Sequence, residues 1–410
     1  MSEEEAKEVR DAILSGWITT GPRTKKLEAQ ISEYVGTART VCLSSATAAM
    51  EMMLHLLDVQ PEDEVIVPAY TYTATASVTQ HVGCRLVMVD SQKDHVEMDY
   101  EQLEQAITER TKVIMPVDIA GIVADYDRVY EIVERKKKLF RPANALQAKI
   151  GRIVVVADCA HSFGAVRKGK MAGAIADFSA FSFHAVKNFT TAEGGALTWQ
   201  LPFGTEIVPA NIDYMPIVPK KEDETWNEML YRISQLFSLH GQNKDALAKT
   251  KVGMWEYDII GPWYKCNMTD IMASLGLVQM RRYPKMLDRR QEIVARYNAA
   301  LDGLNVVILN HKDAEHCSSH HLYMVRLPGK SREEVNRVME QMAERGIATN
   351  VHFKPLPMMT AYKALGFNIV DYPNAYHLFE NEITLPLYTR LTDEEVDYVI
   401  TNFVDIIKNL

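Results

Sequence analysis

Short, continuously apolar runs alternate with helical patterns through the first half of this 410-residue chain. Such runs lie within Glu64 to Pro68, Arg85 to Val89 and Arg152 to Ala157, and helical patterns such as Asp99 to Ile107 separate them. A strand without polar alternation is buried on both faces, as in a parallel sheet that helices cover on each side. The sequence therefore predicts an α/β fold with a mostly parallel central sheet flanked by helices.

The pattern changes near residue 260. Beyond it, helical patterns at Asp270 to Arg282 and Lys285 to Leu301 precede mixed strands and helices, including a short strand predicted near Thr349 to His352. We therefore predict a large domain over residues 1–260 and a smaller α+β C-terminal domain over residues 261–410.

Two segments of the large domain interrupt the periodic pattern, and we interpret both as insertions. Residues 134–152 carry three consecutive lysines, Lys136 to Lys138, which are typical of a solvated helix face. Residues 202–224 carry four prolines. The sequence does not indicate a function for either insertion.

Composition excludes several classes of protein. The 54 acidic and 45 basic residues give a net charge of -9, which argues against a nucleic-acid binder. No apolar stretch is long enough to span a membrane, and the acidic start of the chain is unlike a signal peptide. The five cysteines are widely spread without a CxxC pair, which indicates reduced thiols rather than disulfides or a metal site. We expect a cytoplasmic enzyme without a metal.

The segment from 155 to 197 carries the residues best suited to chemistry. Asp158 and His161 follow one apolar strand, and Ser182 and Lys187 follow another. Open α/β sheets bind ligands at the carboxyl ends of their strands. A lysine desolvated there has a lowered pKa and can act as a nucleophile. An aspartate and a reactive lysine are the two groups that pyridoxal phosphate requires, although the pair alone fits a structural role as well.

Two further segments allow both a functional and a structural interpretation. Ala46 and Thr47 open a helix after a short strand, where free amides could bind a phosphate, or where Ser44 and Ser45 could simply cap the helix. Tyr72 follows the strand that Pro68 ends. Its ring could stack on a flat cofactor, or it could be a buried tyrosine with a hydrogen-bonded hydroxyl.

Six segments together resemble the DegT-type family of sugar-nucleotide aminotransferases, which has the aspartate-aminotransferase-like fold. They occur in the family's order and span nearly the whole chain. In this sequence they are SGWITTGP (15–22), SSATA (44–48), DCAHSFG (158–164), FSFHAVK (181–187), EGG (193–195) and YKCNMTD (264–270). Among subgroups, they look most like the aminotransferases that make UDP-4-amino-4-deoxy-L-arabinose.

The resemblance implies a fold type I enzyme that depends on pyridoxal 5'-phosphate. Lys187 would hold the cofactor as a Schiff base and shuttle the proton of the reaction. Asp158 would pair with the pyridine nitrogen, His161 would lie beside the phenolic oxygen, and Tyr72 would stack on the ring. The amides of Ala46 and Thr47 would bind the phosphate together with Ser182.

The resemblance also implies a homodimer with active sites at the subunit interface. Lys265 and Asn267 would reach the phosphate in the neighbouring subunit. His352, Glu193 and Thr20 would contact the substrate. His184 and His321 also match family positions, and we interpret both as structural. Asp118 stands where histidine is common in the family.

The reaction implied is a ping-pong transfer of the amino group of L-glutamate to a nucleotide-linked keto-sugar, at C4, in polysaccharide biosynthesis. Family members that dehydrate sugars carry histidine at the position of Lys187, so the lysine favours transamination. Three alternatives stay open: a keto-cyclitol substrate, a 3-keto-sugar substrate, and a catalytically silent homologue that binds the cofactor or a sugar in a regulatory role.

Overall fold

The fold is described from a computed structural model, which places residues 1–243 and 256–410. Within these ranges the strands are β1 (Arg39–Leu43), β2 (Glu64–Pro68), β3 (Arg85–Val89), β4 (Thr111–Ile114), β5 (Val154–Asp158), β6 (Val166–Arg167), β7 (Lys170–Met171), β8 (Phe178–Ser182), β9 (Gly195–Trp199), β10 (Val307–Ile308), β11 (His316–Cys317), β12 (Tyr323–Arg326) and β13 (Glu382–Leu385).

The helices of the same ranges precede, separate and follow these strands. They are α1 (Glu3–Leu14), α2 (Pro22–Val35), α3 (Ala46–Leu56), α4 (Thr73–Val82), α5 (Tyr100–Ala106), α6 (Tyr126–Arg135), α7 (Ala145–Ile150), α8 (Trp226–Ser238), α9 (Asp270–Leu301), α10 (Arg332–Glu344), α11 (Thr360–Ala364), α12 (Pro373–Glu380) and α13 (Asp393–Lys408).

A seven-stranded sheet forms the centre, in the order β1-β9-β8-β5-β4-β2-β3. Its pairings are parallel except for those of β9, which runs antiparallel to both neighbours. This arrangement confirms the predicted mostly parallel sheet. It brings the carboxyl ends of β1, β2, β4, β5 and β8 to one edge, where a ligand site is expected in such folds.

The continuous apolar runs of the strands follow from burial on both faces. Val65 and Val67 of β2 pack into one hydrophobic core together with α3 and α8. Ile66, between them, packs into a second core on the opposite face with α2 and α6. Because successive side chains of a strand point to opposite faces, both faces must be apolar.

The C-terminal part has its own three-stranded antiparallel sheet, ordered β10-β12-β13. Its apolar side chains, such as Val325 and Ile383, form a third core with α10, α13 and the second half of α9. This arrangement agrees with the α+β class predicted for the region. The boundary between residues 260 and 261 stays a prediction.

The two helices predicted at 270–282 and 285–301 are one helix, α9, which continues through Pro284. A proline inside a helix removes one backbone hydrogen bond and crowds the preceding turn. Packing on both sides offsets this cost: the Tyr283 hydroxyl donates to the carbonyl of Phe163 at 2.6 Å. Beyond the proline, the Arg290 guanidinium donates to the carbonyls of His320 and Leu387 at 3.1 and 3.2 Å.

The prediction of a short strand near Thr349 to His352 was also wrong. Asn350 makes an isolated bridge to Thr384 and no ladder follows. The next two backbone amides donate to side chains instead of to a strand. The Val351 amide donates to Asn350 Oδ1 at 2.8 Å, and the His352 amide donates to Glu382 Oε2 at 2.9 Å. Side-chain acceptors of this kind compete with sheet pairing.

The two segments interpreted as insertions differ in structure. Residues 134–152 include the end of α6 and all of α7, whereas residues 202–224 contain no helix or strand. The second segment is nevertheless anchored to the core, because Tyr214 is buried and its hydroxyl donates to the carbonyl of Leu56 at 2.8 Å. Among the described residues, no helix is long and apolar enough to cross a membrane.

Two stacked histidines beside β12 predict a loss of stability in acid. The rings of His311 and His320 are 5.4 Å apart and both side chains are buried. Burial lowers the pKa of His311 to about 3 and that of His320 to about 4. Unfolding releases each ring to its ordinary pKa of 6.5, so the unfolded state binds more protons as the pH falls below that value. Each histidine should therefore cost about 2 kcal/mol of stability between pH 7.5 and 5.0.

Urea unfolding at the two pH values tests this. A His311→Phe variant should lose about 2 kcal/mol less than the wild type over this interval. Equal losses in the two proteins would show that His311 does not stay neutral in the folded state.

Candidate active site

The candidate active site lies at the edge of the central sheet where β1, β5 and β8 end. Leu43 of β1 and Ser182 of β8 are both register partners of Gly195 in β9. Asp158, at the end of β5, is the register partner of Ala180 in β8. Asp158, Ser182 and the start of α3, predicted separately from the sequence, therefore converge on one edge.

Lys187 follows β8 in a turn, in which its amide donates to the carbonyl of His184 at 2.9 Å. The pKa of its ammonium group is lowered to about 8, because burial penalises the charge more than the nearby Asp158 favours it. Lys187 is therefore partly neutral near neutral pH, as a nucleophilic amine must be. Ser182 Oγ accepts the His184 amide at 3.4 Å, which leaves the Ser182 hydroxyl hydrogen available to a ligand.

Asp158 is buried, and both oxygens of its carboxylate have a fixed donor. Oδ2 accepts from the Thr75 hydroxyl at 2.7 Å and Oδ1 from the Ala160 amide at 3.0 Å. Burial raises the pKa of Asp158, while these two hydrogen bonds and the charge of Lys187 oppose the rise. The carboxylate is thus held rigidly, with lone pairs left to accept a further donor such as a protonated ring nitrogen.

The first turn of α3 fits a phosphate group. Ser45 caps the helix, and its side chain accepts the amide of Ala48 at 3.0 Å. The first amides of a helix have no carbonyl partner within it, so those of Ala46 and Thr47 point out of its N-terminus. The helix dipole favours an anion at this position.

Gly195 allows β9 to lie directly against this turn. A Cβ at Gly195 would stand 2.3 Å from the carbonyl carbon of Ser45 and 2.4 Å from the amide nitrogen of Ala46. Atoms cannot approach so closely, so a side chain at 195 would displace the first turn of α3.

We therefore expect Gly195→Ala to weaken cofactor binding at least about tenfold, by moving the amides that hold the phosphate. Equilibrium titration of the cofactor-free protein with pyridoxal phosphate, followed by absorbance, measures the change. The thermal midpoint of each cofactor-free protein serves as the control for folding. Unchanged affinity in a folded variant would show that the start of α3 does not bind the phosphate.

His161 lies in the same region as a neutral ring. Its Nδ1 accepts the Ala120 amide at 3.3 Å, so the hydrogen of the neutral ring is on Nε2 and can be donated to an oxygen. Burial is the main cause that lowers its pKa well below the ordinary value, and the charge of Lys187 adds to it. The ring stacks on Phe353 at 5.9 Å and lies 4.4 Å from His321.

Tyr72 also lies near Phe353, at 6.2 Å between ring centroids. It directly precedes α4, and 62% of its surface is exposed. This position excludes the alternative of a buried tyrosine. Its stacking on a cofactor ring stays a prediction.

Thr20, Lys265 and Asn267 form a separate cluster. Lys265 Nζ donates to Asn267 Oδ1, and Asn267 Nδ2 donates to Thr20 Oγ1. The segment lies against the residue that precedes the α3 cap, since the Ser44 amide donates to the carbonyl of Cys266 at 2.7 Å. The cluster is therefore beside the candidate phosphate site, whereas its reach into a neighbouring subunit stays a prediction.

The other two predicted substrate contacts differ in burial. His352 Nδ1 is hydrogen-bonded to the Thr384 hydroxyl at 2.9 Å. Burial, together with the charge of Lys187, lowers the pKa of His352 to about 4. Glu193, in contrast, is exposed and lies 3.4 Å from His184 Nε2.

The sequence did not identify three residues of this site: Thr75, Asn188 and Phe353. Asn188 Oδ1 bonds His321 Nδ1 at 2.8 Å, and Asn188 Nδ2 donates to the carbonyl of Ser319 at 2.7 Å. The position of Asn188 directly after Lys187 was the one available signal. No local sequence signal identifies Thr75 and Phe353, because only the tertiary fold brings them to the site.

Comparisons with known proteins identify chains of similar sequence and fold. Spr1654 of Streptococcus pneumoniae, assigned by name as a sugar aminotransferase, superposes in its PMP form with a TM-score of 0.91 and 55% identity, covering 100% of this chain and 98% of that one. PseC of Helicobacter pylori, an aminotransferase involved in the biosynthesis of pseudoaminic acid, has a TM-score of 0.82 and 25% identity, covering 100% and 98%.

A curated relative also covers nearly the whole chain. SpsC of Bacillus subtilis, a spore coat polysaccharide biosynthesis protein, is 32% identical over 416 residues, which is 100% of this chain and 95% of SpsC. These matches confirm the predicted fold type I architecture. The family model of DegT/DnrJ/EryC1/StrS aminotransferases matches residues 1–404, and the chain therefore belongs to this aminotransferase family.

Proposed function

We propose that this chain transfers the amino group of L-glutamate to C4 of a nucleotide-linked keto-sugar, in ping-pong order. The observation that carries the proposal is the parallel pairing of β5 with β8, which brings the buried Asp158 and Lys187 to one edge of the sheet, close enough for each to shift the pKa of the other. The names of Spr1654 and SpsC, which refer to a sugar and to a polysaccharide, support a sugar acceptor.

The prediction of pyridoxal 5'-phosphate as the cofactor is confirmed by family membership and by the PLP and PMP forms of Spr1654. When bound, this cofactor supplies an aldehyde that combines with amines and a ring that withdraws electrons. The residues at the sheet edge fit it. The α3 amides and Ser182 would hold the phosphate, Asp158 the ring nitrogen and Lys187 the aldehyde carbon.

Lys187 acts at its Nζ atom in both half-reactions. With a pKa of about 8, roughly a quarter of Lys187 is neutral at pH 7.5 and can attack a carbonyl carbon or remove a proton. Asp158 would hold a proton on the ring nitrogen of the bound cofactor through its fixed carboxylate, because the Thr75 and Ala160 donors prevent that carboxylate from turning away. His161 would offer its neutral Nε2–H to an oxygen of the bound cofactor's ring.

We further infer a cytoplasmic homodimer. Tyr264 is exposed and directly precedes the segment from Lys265 to Asn267, which the family resemblance assigns to the interface. An exposed aromatic side chain at this position supports the dimer. The five cysteines of the chain are all free, as expected of a protein in a reducing compartment.

A panel of amino acceptors tests the proposed substrate. The purified holoenzyme is incubated with L-glutamate and one acceptor at a time: 4-keto and 3-keto nucleotide sugars, the free sugars and a keto-cyclitol. We expect amination of a nucleotide-linked 4-keto-sugar, with the new amine located by NMR. Amination of the cyclitol or at C3 would replace the proposed acceptor. A protein that binds the cofactor but aminates nothing would be the silent homologue.

A further inference from the structure

A chain of hydrogen bonds leads from a buried carboxyl group to His352. Glu382 of β13 is fully buried, and its Oε2 accepts the backbone amide of His352 at 2.9 Å. Its Oε1 is hydrogen-bonded to the Thr384 hydroxyl. The same hydroxyl is 2.9 Å from His352 Nδ1. Glu382, Thr384 and His352 are thus joined in series.

The hydrogens of such a chain must all point the same way, because a hydroxyl has one hydrogen to donate. If Glu382 is ionised, Thr384 donates to it and must accept from His352, so the imidazole hydrogen is on Nδ1. If Glu382 is protonated on Oε1, it donates to Thr384, and Thr384 donates to His352 Nδ1. The hydrogen of the neutral imidazole is then on Nε2.

We propose that Glu382 and Thr384 are positioning residues that set which ring nitrogen of His352 carries its hydrogen. They thereby determine whether His352 Nε2 offers the substrate a donor or an acceptor. The proposal rests on the proposed function in so far as it takes His352 as a substrate contact. His352 is close enough to Lys187 for the charge of the lysine to affect its pKa.

The surroundings of Glu382 allow both states near neutral pH. Burial raises the pKa of Glu382 to about 8, and the hydrogen bonds from Thr384 and His352 and the charge of Arg332 oppose the rise. The Arg332 guanidinium donates to the backbone carbonyl of Glu382 at 2.7 Å and so does not neutralise the carboxylate directly. Among the described residues, the other charged and titratable groups near Glu382 and His352 are Tyr70, Arg326, His161, His321 and Lys187.

The state of His352 can be read directly from ¹⁵N NMR of the holoenzyme with labelled histidine, because ring nitrogens with and without hydrogen have very different shifts. His352→Gln assigns the signals. In the wild type, Nε2 should change from the hydrogen-bearing to the lone-pair form as the pH rises through about 8. Glu382→Gln keeps the shape and donates from its amide nitrogen to Thr384, so Nε2 should keep its hydrogen from pH 6.5 to 9.5.

Two further variants distinguish the effect of this hydrogen-bond chain from a general structural effect. Thr384→Val cuts the chain and should abolish the pH response, whereas Thr384→Ser retains the hydroxyl and should preserve it. An unchanged wild-type spectrum from pH 6.5 to 9.5, or the same response in Glu382→Gln as in the wild type, would overturn the proposal. The ¹⁵N shifts are measured without turnover. A protein that failed to aminate any sugar would therefore still test the hydrogen-bond chain.

Discussion

A Lys187→Ala variant is expected to lose the visible absorption band of the lysine-bound cofactor and at least about a thousandfold in turnover. Lys187 is the amine that the fold places beside Asp158, and its lowered pKa is what makes it reactive. Lys265, the other lysine named in the site, lies in the cluster beside the candidate phosphate position, where its ammonium group donates to Asn267. Absorbance spectra and single-turnover rates with L-glutamate measure both effects.

The matched control is Lys170→Ala, which removes an exposed lysine from β7. It should have the spectrum and rate of the wild type. If Lys187→Ala kept the band and the activity, the nucleophile would have to be assigned to another residue.

An Asp158→Asn variant is expected to retain the cofactor and yet lose about a hundredfold or more in the rate of the glutamate half-reaction. Asparagine preserves the shape of the side chain and can accept from Thr75, but it has no negative charge to hold a proton on the ring nitrogen. The loss should therefore fall on the rate constant of the proton-transfer step, measured by stopped-flow absorbance, and not on cofactor affinity.

Thr75→Val provides the graded comparison. It removes the donor to Asp158 Oδ2 but leaves the charge, so we expect a smaller loss, of about tenfold, consistent with one hydrogen bond to a charged group. Equal losses in the two variants would indicate that positioning, and not the charge of Asp158, determines the rate.

Local patterns in the sequence predicted the parts of the fold that depend on local physics. The residues of β5 are buried on both faces, and their continuous apolar run indicated this. Ser331 and Thr392 are local features of the same kind, since each caps a helix through a reciprocal bond with a glutamate three residues on. In contrast, α9 runs through Pro284 because of long-range packing that the proline signal does not report.

The site itself was only partly accessible from the sequence. Asp158 and Lys187 are 29 residues apart, and nothing in that spacing brings them together. The parallel pairing of β5 with β8 does so, and the family resemblance indicated it in advance. Thr75 and Glu382 carry no local signal, because each acts through a partner that tertiary structure supplies.

The most direct test of the central claim is the visible spectrum of the purified holoenzyme before and after addition of L-glutamate. We predict a yellow protein whose band bleaches as 2-oxoglutarate is released, and whose colour returns when a nucleotide-linked keto-sugar accepts the amino group. A protein that takes up no pyridoxal phosphate, or a bound cofactor whose band does not change with glutamate, would contradict the assignment.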